Sequence, residues 1–179
     1  VACLHREIPF TLYERDSSFE ARSQGYGLTL QQASASMKGL GISSLAEGVV
    51  STKHVVHTPE GKVIGEWGMR KWLEANASNS LKKSNIHIAR QKLRSALLEQ
   101  LGGKNKVQWG HELINFKESK DKRIELVFDV EGKCVTSKAV LMVGADGIRS
   151  NVRNLRIGEE ITPLNYLGCI VILGICPLK

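Results

Sequence analysis

The chain has 179 residues, with 25 Lys+Arg against 18 Asp+Glu, a formal charge of +7 and 42% hydrophobic residues. This length fits one domain and the start of a second, and the mixed composition excludes a disordered or fibrous chain. The positive charge suits anionic ligands. However, the basic residues are scattered, few aromatics lie among them and no nucleic-acid motif is present, so no nucleic-acid partner is expected.

Val1 to Arg6 reads as the last turns of a helix, followed by a short buried strand, Ile8 to Tyr13 (IPFTLY), which ends at the charged cluster Glu14-Arg15-Asp16. A helix leading into a strand implies a preceding strand that this chain lacks, because βαβ units alternate. Gln31 to Gly39 reads as a helix, with Gly39 and Gly41 as stops and Ile42 able to close a C-terminal cap. Ser51 to Trp67 reads as a hairpin turning at Pro59-Glu60-Gly61-Lys62, and Asn76 to Asn85 as a polar loop. Ile86 to Ala89 is a short strand. Arg90 then opens a helix with Leu93, Leu97, Leu98 and Leu101 on one face, stopped by Gly102-Gly103. Val107 to Lys117, Arg123 to Asp129 and Cys134 to Val143 read as three strands, the last ending in an apolar run suited to a strand covered on both faces. Tyr166 to Ile175 reads as a further strand. The whole is an α/β sheet with a small antiparallel insertion.

Several functions lack support. Cys3, Cys134, Cys169 and Cys176 form no C-x-x-C pair, so free and mostly buried thiols in a reducing compartment are expected. His54 and His57 point to opposite faces of their strand, and no zinc site is expected. VACLHREIPF has no signal-peptide pattern, and the longest apolar run, YLGCIVILGICP, is about half of a membrane span. An intracellular, cytoplasmic protein without a transmembrane segment follows as the expectation.

Two strand ends carry residues suited to ligands, which in open parallel sheets bind beyond the C-terminal ends of strands. Glu14 follows IPFTLY, where a carboxylate can accept hydrogen bonds from both hydroxyls of a ribose; a plain surface acid is the alternative. Asp146-Gly147 follows AVLMVGA. There Gly147 allows close backbone approach, and Ser150 can cap a helix carrying Arg153. An Asp-Gly hairpin turn is the alternative, weakened because IRSNVRN lacks the alternation of a return strand. Gly25-Tyr26-Gly27 is not a dinucleotide fingerprint: Leu30 stands at the third glycine and no apolar strand precedes it. It reads as a loop whose glycines let backbone lie against a ligand.

Together YERD, Arg22 with GYGLTLQ, IARQKLRSALL and VGADGIRSNVR resemble the FAD-dependent aromatic-ring hydroxylases, the flavoprotein monooxygenases of the para-hydroxybenzoate and salicylate hydroxylase type. The resemblance covers nearly the whole chain, and VGADGxxSxVR is its most specific part. It implies a Rossmann-like, three-layer FAD/NAD(P)-binding fold lacking its first strand and G-x-G-x-x-G loop. Residues 1–160 would be part of the FAD-binding domain and 161–179 the start of a substrate domain. It further implies cofactor-binding roles for Glu14 on the adenosine ribose, for Arg15 beside it, for Arg22 and Arg90 near the pyrophosphate or ribityl chain, and for Asp146 and Gly147. Backbone around Glu112 to Ile114 would lie near the adenine. The implied activity is hydroxylation of a small, aromatic or conjugated substrate with FAD, NAD(P)H and O2 through a flavin C4a-hydroperoxide. Its catalytic residues would lie outside this chain. An epoxidase or halogenase-like relative, or a truncated copy without activity, shares these features. With the phosphate loop absent, two or three hydrogen bonds to charged groups, at about 1.5–3 kcal/mol each, are missing, so weak FAD affinity is expected of the isolated chain.

Overall fold

In the computed structural model, residues 1–22, 26–30, 33–42, 45, 48–50, 53–68 and 86–172 are described. The strands are β1 (Leu12–Tyr13), β2 (Gly27–Thr29), β3 (Val49–Val50), β4 (Lys53–His57), β5 (Val63–Gly68), β6 (Ile86–Ala89), β7 (Val107–Gln108), β8 (Glu112–Glu118), β9 (Ile124–Val130) and β10 (Lys133–Ala139). The α-helices are α1 (Ala33–Gly39), α2 (Arg90–Gln100) and α3 (Asn151–Ile157). The chain forms two compact units, one of Val1–Pro9 with Ser23–Gly103, the other of Phe10–Arg22 with Lys104–Lys179.

In the first unit, β6 pairs antiparallel with β2 on one side and β3 on the other, bringing Thr29 and Val49 opposite His87. Ile88 points to the opposite face from His87 and is buried. Both helix stops in this unit form as the glycines demand. Gly41 adopts φ +78, and the amide of the buried Ile42 donates to the Met37 carbonyl at 2.9 Å, closing α1. Gly102 and Gly103 adopt φ +90 and +105, donating to the Glu99 and Leu98 carbonyls at 3.0 and 2.9 Å, which closes α2 in the same way. The leucine face of α2 is half-buried. β4 and β5 form the expected hairpin, with His54 stacked on Trp67 at 5.3 Å. The first residues form a single 3-10 turn, Leu4–Arg6, rather than the end of an α-helix, and His5 Nε2 donates to the Leu40 carbonyl at 2.6 Å.

In the second unit, β1 and β7 pair in parallel, while β8, β9 and β10 form an antiparallel meander. Val107, Leu126 and Phe128 are buried there. Tyr13 stacks on Phe128 with ring centroids 4.4 Å apart, and its hydroxyl donates to Ser137 Oγ at 3.1 Å. Half-burying the tyrosine ring while giving its hydroxyl a partner suits both halves of that side chain.

Five expectations need correction. The strand ending at Tyr13 is only Leu12–Tyr13, with Ile8 and Phe10 exposed. The strand expected from Val107 to Lys117 is split by the turn at Trp109–His111 into β7 and β8. The strand expected to reach Val143 stops at Ala139, and Val140, Leu141 and Val143 are exposed rather than covered; likewise no strand forms over Tyr166 to Ile172. The reason is common to both: a strand needs a partner on at least one edge, and among the described residues none pairs with either run. Finally, Cys3, Cys134 and Cys169 are exposed rather than buried. Cys176, the loop 76–85 and the end of the run to Ile175 lie outside the described residues, as does Gly25.

Candidate functional site

The segment from Gly144 to Arg153 folds into a turn held together by its own side chains. Asp146 accepts a hydrogen bond from the Ser150 hydroxyl through one carboxylate oxygen, and from the Val152 amide at 3.1 Å through the other. Ser150 in turn accepts from the Arg153 amide at 3.0 Å, which makes it the N-cap of α3 as the sequence suggests. Arg153 closes the turn by donating to the Ile148 carbonyl at 2.6 Å. The alternative of an Asp-Gly hairpin is therefore excluded, since the chain continues into a helix. Burial raises the Asp146 carboxyl pKa, but the Ser150 hydroxyl and the Val152 amide outweigh it and hold the group below the usual aspartate range.

Two glycines shape this turn for different reasons. Gly147 has φ +81, the left-handed region, with open space where a side chain would project. Gly144 is needed for contact: a Cβ there would lie 2.7 Å from Val152 Cγ1. Sequence reasoning singled out Gly147 and missed Gly144, whose only signal is a glycine two residues before the aspartate. It also missed Asn151, whose Nδ2 donates to the Leu113 carbonyl at 3.0 Å and ties α3 to β8.

Glu14, Arg15 and Arg22 lie together in the loop after β1. The loop backbone is bonded to the β7–β8 connection, with Gly110 donating to Asp16 at 2.8 Å and His111 to Glu14 at 2.9 Å. Glu14 Oε1 accepts from the Asp16 amide at 3.1 Å, and Oε2 has no partner among the described residues. Arg22 Nε sits 2.8 Å from Asp16 Oδ1, while Arg15 is exposed. Both segments of the second unit are thus anchored to the β7–β8 stretch. In that stretch a bulge between Leu113 and Asn115 leaves Ile114 outside the ladder with β9. Arg90 belongs to the first unit, where it opens α2, donates its amide to the Tyr26 carbonyl at 3.1 Å and places its guanidinium 5.9 Å from the Tyr26 ring centre. Gly27 is a strand residue, and its open side is filled by the His87 ring rather than left for a ligand: a Cβ there would lie 2.7 Å from His87 Cε1.

No family model matches the chain and no curated protein is similar to it in sequence. Solved structures are similar in fold. A protein assigned as an FAD-containing monooxygenase from Photorhabdus luminescens subsp. laumondii TTO1 matches with a TM-score of 0.60 at 17% identity, over 85% of this chain and 36% of that one. The p-nitrophenol 4-monooxygenase of Pseudomonas putida DLL-E4 matches with a TM-score of 0.61 at 15% identity, over 81% of this chain and 36% of that one. The fold is monooxygenase-like. The chain spans 36% of the length of each of these proteins, and at such identities the likeness is one of fold alone. Among the described residues no helix is long and apolar enough to cross a membrane.

Proposed function

We propose that this chain is part of the FAD-binding portion of a monooxygenase that uses NAD(P)H and O2 to hydroxylate a small aromatic or conjugated molecule. In this reading residues 1–160 belong to a Rossmann-like, three-layer FAD-binding domain and 161–179 begin a substrate domain. The observation that carries it is the self-braced turn from Asp146 to Arg153, with Gly147 open at its bend, in a chain of monooxygenase-like fold.

The residues present fit the cofactor. FAD offers ribose hydroxyls, a pyrophosphate and an adenine. Glu14 has one carboxylate oxygen without a partner among the described residues, Gly147 has open space where a side chain would project, and Ile114 stands outside its ladder. Within the second unit, Glu14 would accept from the ribose, Arg15 and Arg22 would supply positive charge for the phosphates, and backbone at Ile114 would meet the adenine. Asp146 has both oxygens engaged within the turn, so its part is to hold Gly147 and α3 in place. Bound flavin would take hydride from the nicotinamide and supply the oxygen chemistry, while the protein binds, orients and excludes water.

The test is FAD titration followed by flavin fluorescence. The 179-residue chain should bind FAD weakly, and a longer product of the same gene should purify yellow and oxidise NAD(P)H when given a phenolic substrate. A longer product that stays colourless in excess FAD overturns the reading.

A further inference from the structure

Asn151 joins two parts of the second unit that are far apart in sequence. It is the first residue of α3, set between Ser150 and Val152, both of which donate to the Asp146 carboxylate. The backbone amide of Asn151 also helps to hold that carboxyl below the usual aspartate range. Its side chain reaches a different element: Nδ2 donates at 3.0 Å to the carbonyl of Leu113, 38 residues earlier. Leu113 lies on β8, the edge strand of the meander, at the bulge that leaves Ile114 outside the ladder. One residue therefore links the turn that carries Gly147 to the backbone at the bulge.

We propose that Asn151 is a positioning residue of the flavin site: by gripping the Leu113 carbonyl it fixes the Asp146–Gly147 turn against the β8 bulge, so that both meet one bound FAD. This rests on the flavin reading given above. Helix formation alone does not call for asparagine here, since alanine is the better helix former and Ser150 already caps α3. No residue of α3 is buried, so little apolar packing ties the helix to β8, and a directional bond fixes its place. The partner is a carbonyl, which only accepts, so the position needs a donor. Asparagine supplies one on a short side chain, whereas an aspartate of the same shape would not.

Titration of FAD with an excess of the full 179-residue chain, read by flavin fluorescence anisotropy, tests the proposal. Asn151→Ala should weaken FAD binding by about three- to tenfold, the loss of one hydrogen bond, while far-UV circular dichroism stays unchanged. Asp146→Ala should have the larger effect. Adding Asn151→Ala to it should then change the affinity by less than about twofold, because both residues act through one turn. An asparagine that served the helix alone would lower the unfolding midpoint and leave the affinity of the folded protein as it was. If Asn151→Ala binds FAD as tightly as the parent chain, or if the effects of the two substitutions add in full, the inference is overturned and the flavin reading stands. A parent chain that takes up no FAD even in excess counts against the flavin reading and overturns the inference built on it.

Discussion

Asp146 accepts through both oxygens, so its removal frees two donors at once: the Ser150 hydroxyl and the Val152 amide. Ser150→Ala, which removes the cap of α3 as well as one of these bonds, should lower stability by about 1 kcal/mol in urea unfolding. Gly147→Ala meets open space, so its cost is the left-handed backbone alone, about 1–2 kcal/mol. The pH dependence has a definite sign. The folded Asp146 carboxyl titrates below its ordinary value, so its stabilisation is complete above about pH 4 and is lost as pH falls through the lowered folded value. Asp146→Asn should therefore flatten the acid limb of the stability curve; an unchanged slope below about pH 4 would contradict this assignment.

At the scale of elements, the contact between β2 and β6 depends on a missing side chain. Gly27→Ala would drive a Cβ into the His87 ring and displace it from Thr29, to which His87 Nδ1 is bonded at 3.0 Å. The expected cost is about 1–3 kcal/mol in the parent chain and close to nothing in a His87→Ala background, a double-mutant cycle that unfolding measurements can close. In the meander, Phe128→Ala removes the ring on which Tyr13 stacks and should cost about 3–5 kcal/mol. The helix stops at Gly41 and Gly102, the hairpin turn before Lys62 and the Ser150 cap were legible in the sequence because each is decided within half a dozen residues. The His87–Gly27 contact was not, because it depends on which of many distant residues faces the glycine. Nor was the exposure of Val140 to Val143: the apolar letters promise burial, but burial requires neighbours that letters do not specify. In the candidate site, the glycine at the bend and the capping serine could be read directly. The double engagement of Asp146 could not, since it follows from the path of the turn rather than from residue type.

At the scale of the molecule, the monooxygenase-like fold and the flavin reading meet in one measurable expectation. If the proposed function holds, Asp146→Ala in a flavin-binding form of the protein should weaken FAD binding by about tenfold or more, the equivalent of one or two hydrogen bonds lost from the turn. Unchanged flavin binding and reduction would remove Asp146 and Gly147 from the site while leaving Glu14 to be tested separately. The two units also have a consequence for how the chain is assembled. The chain crosses between them at Pro9, Arg22 and Gly103, so neither unit is continuous in sequence. On the ribosome, β1 is made early but waits for β7 to emerge before it can pair. When Lys104 arrives it pairs with Glu20 and sits 4.3 Å over the Phe19 ring, joining the two stretches of the second unit at their ends. The residues between them thus form one long excursion with fixed ends. Because the entropy of closing such a loop grows only with the logarithm of its length, a short insertion in a connection between the elements of Ser23–Gly103 should cost the pairing of β1 with β7 almost nothing.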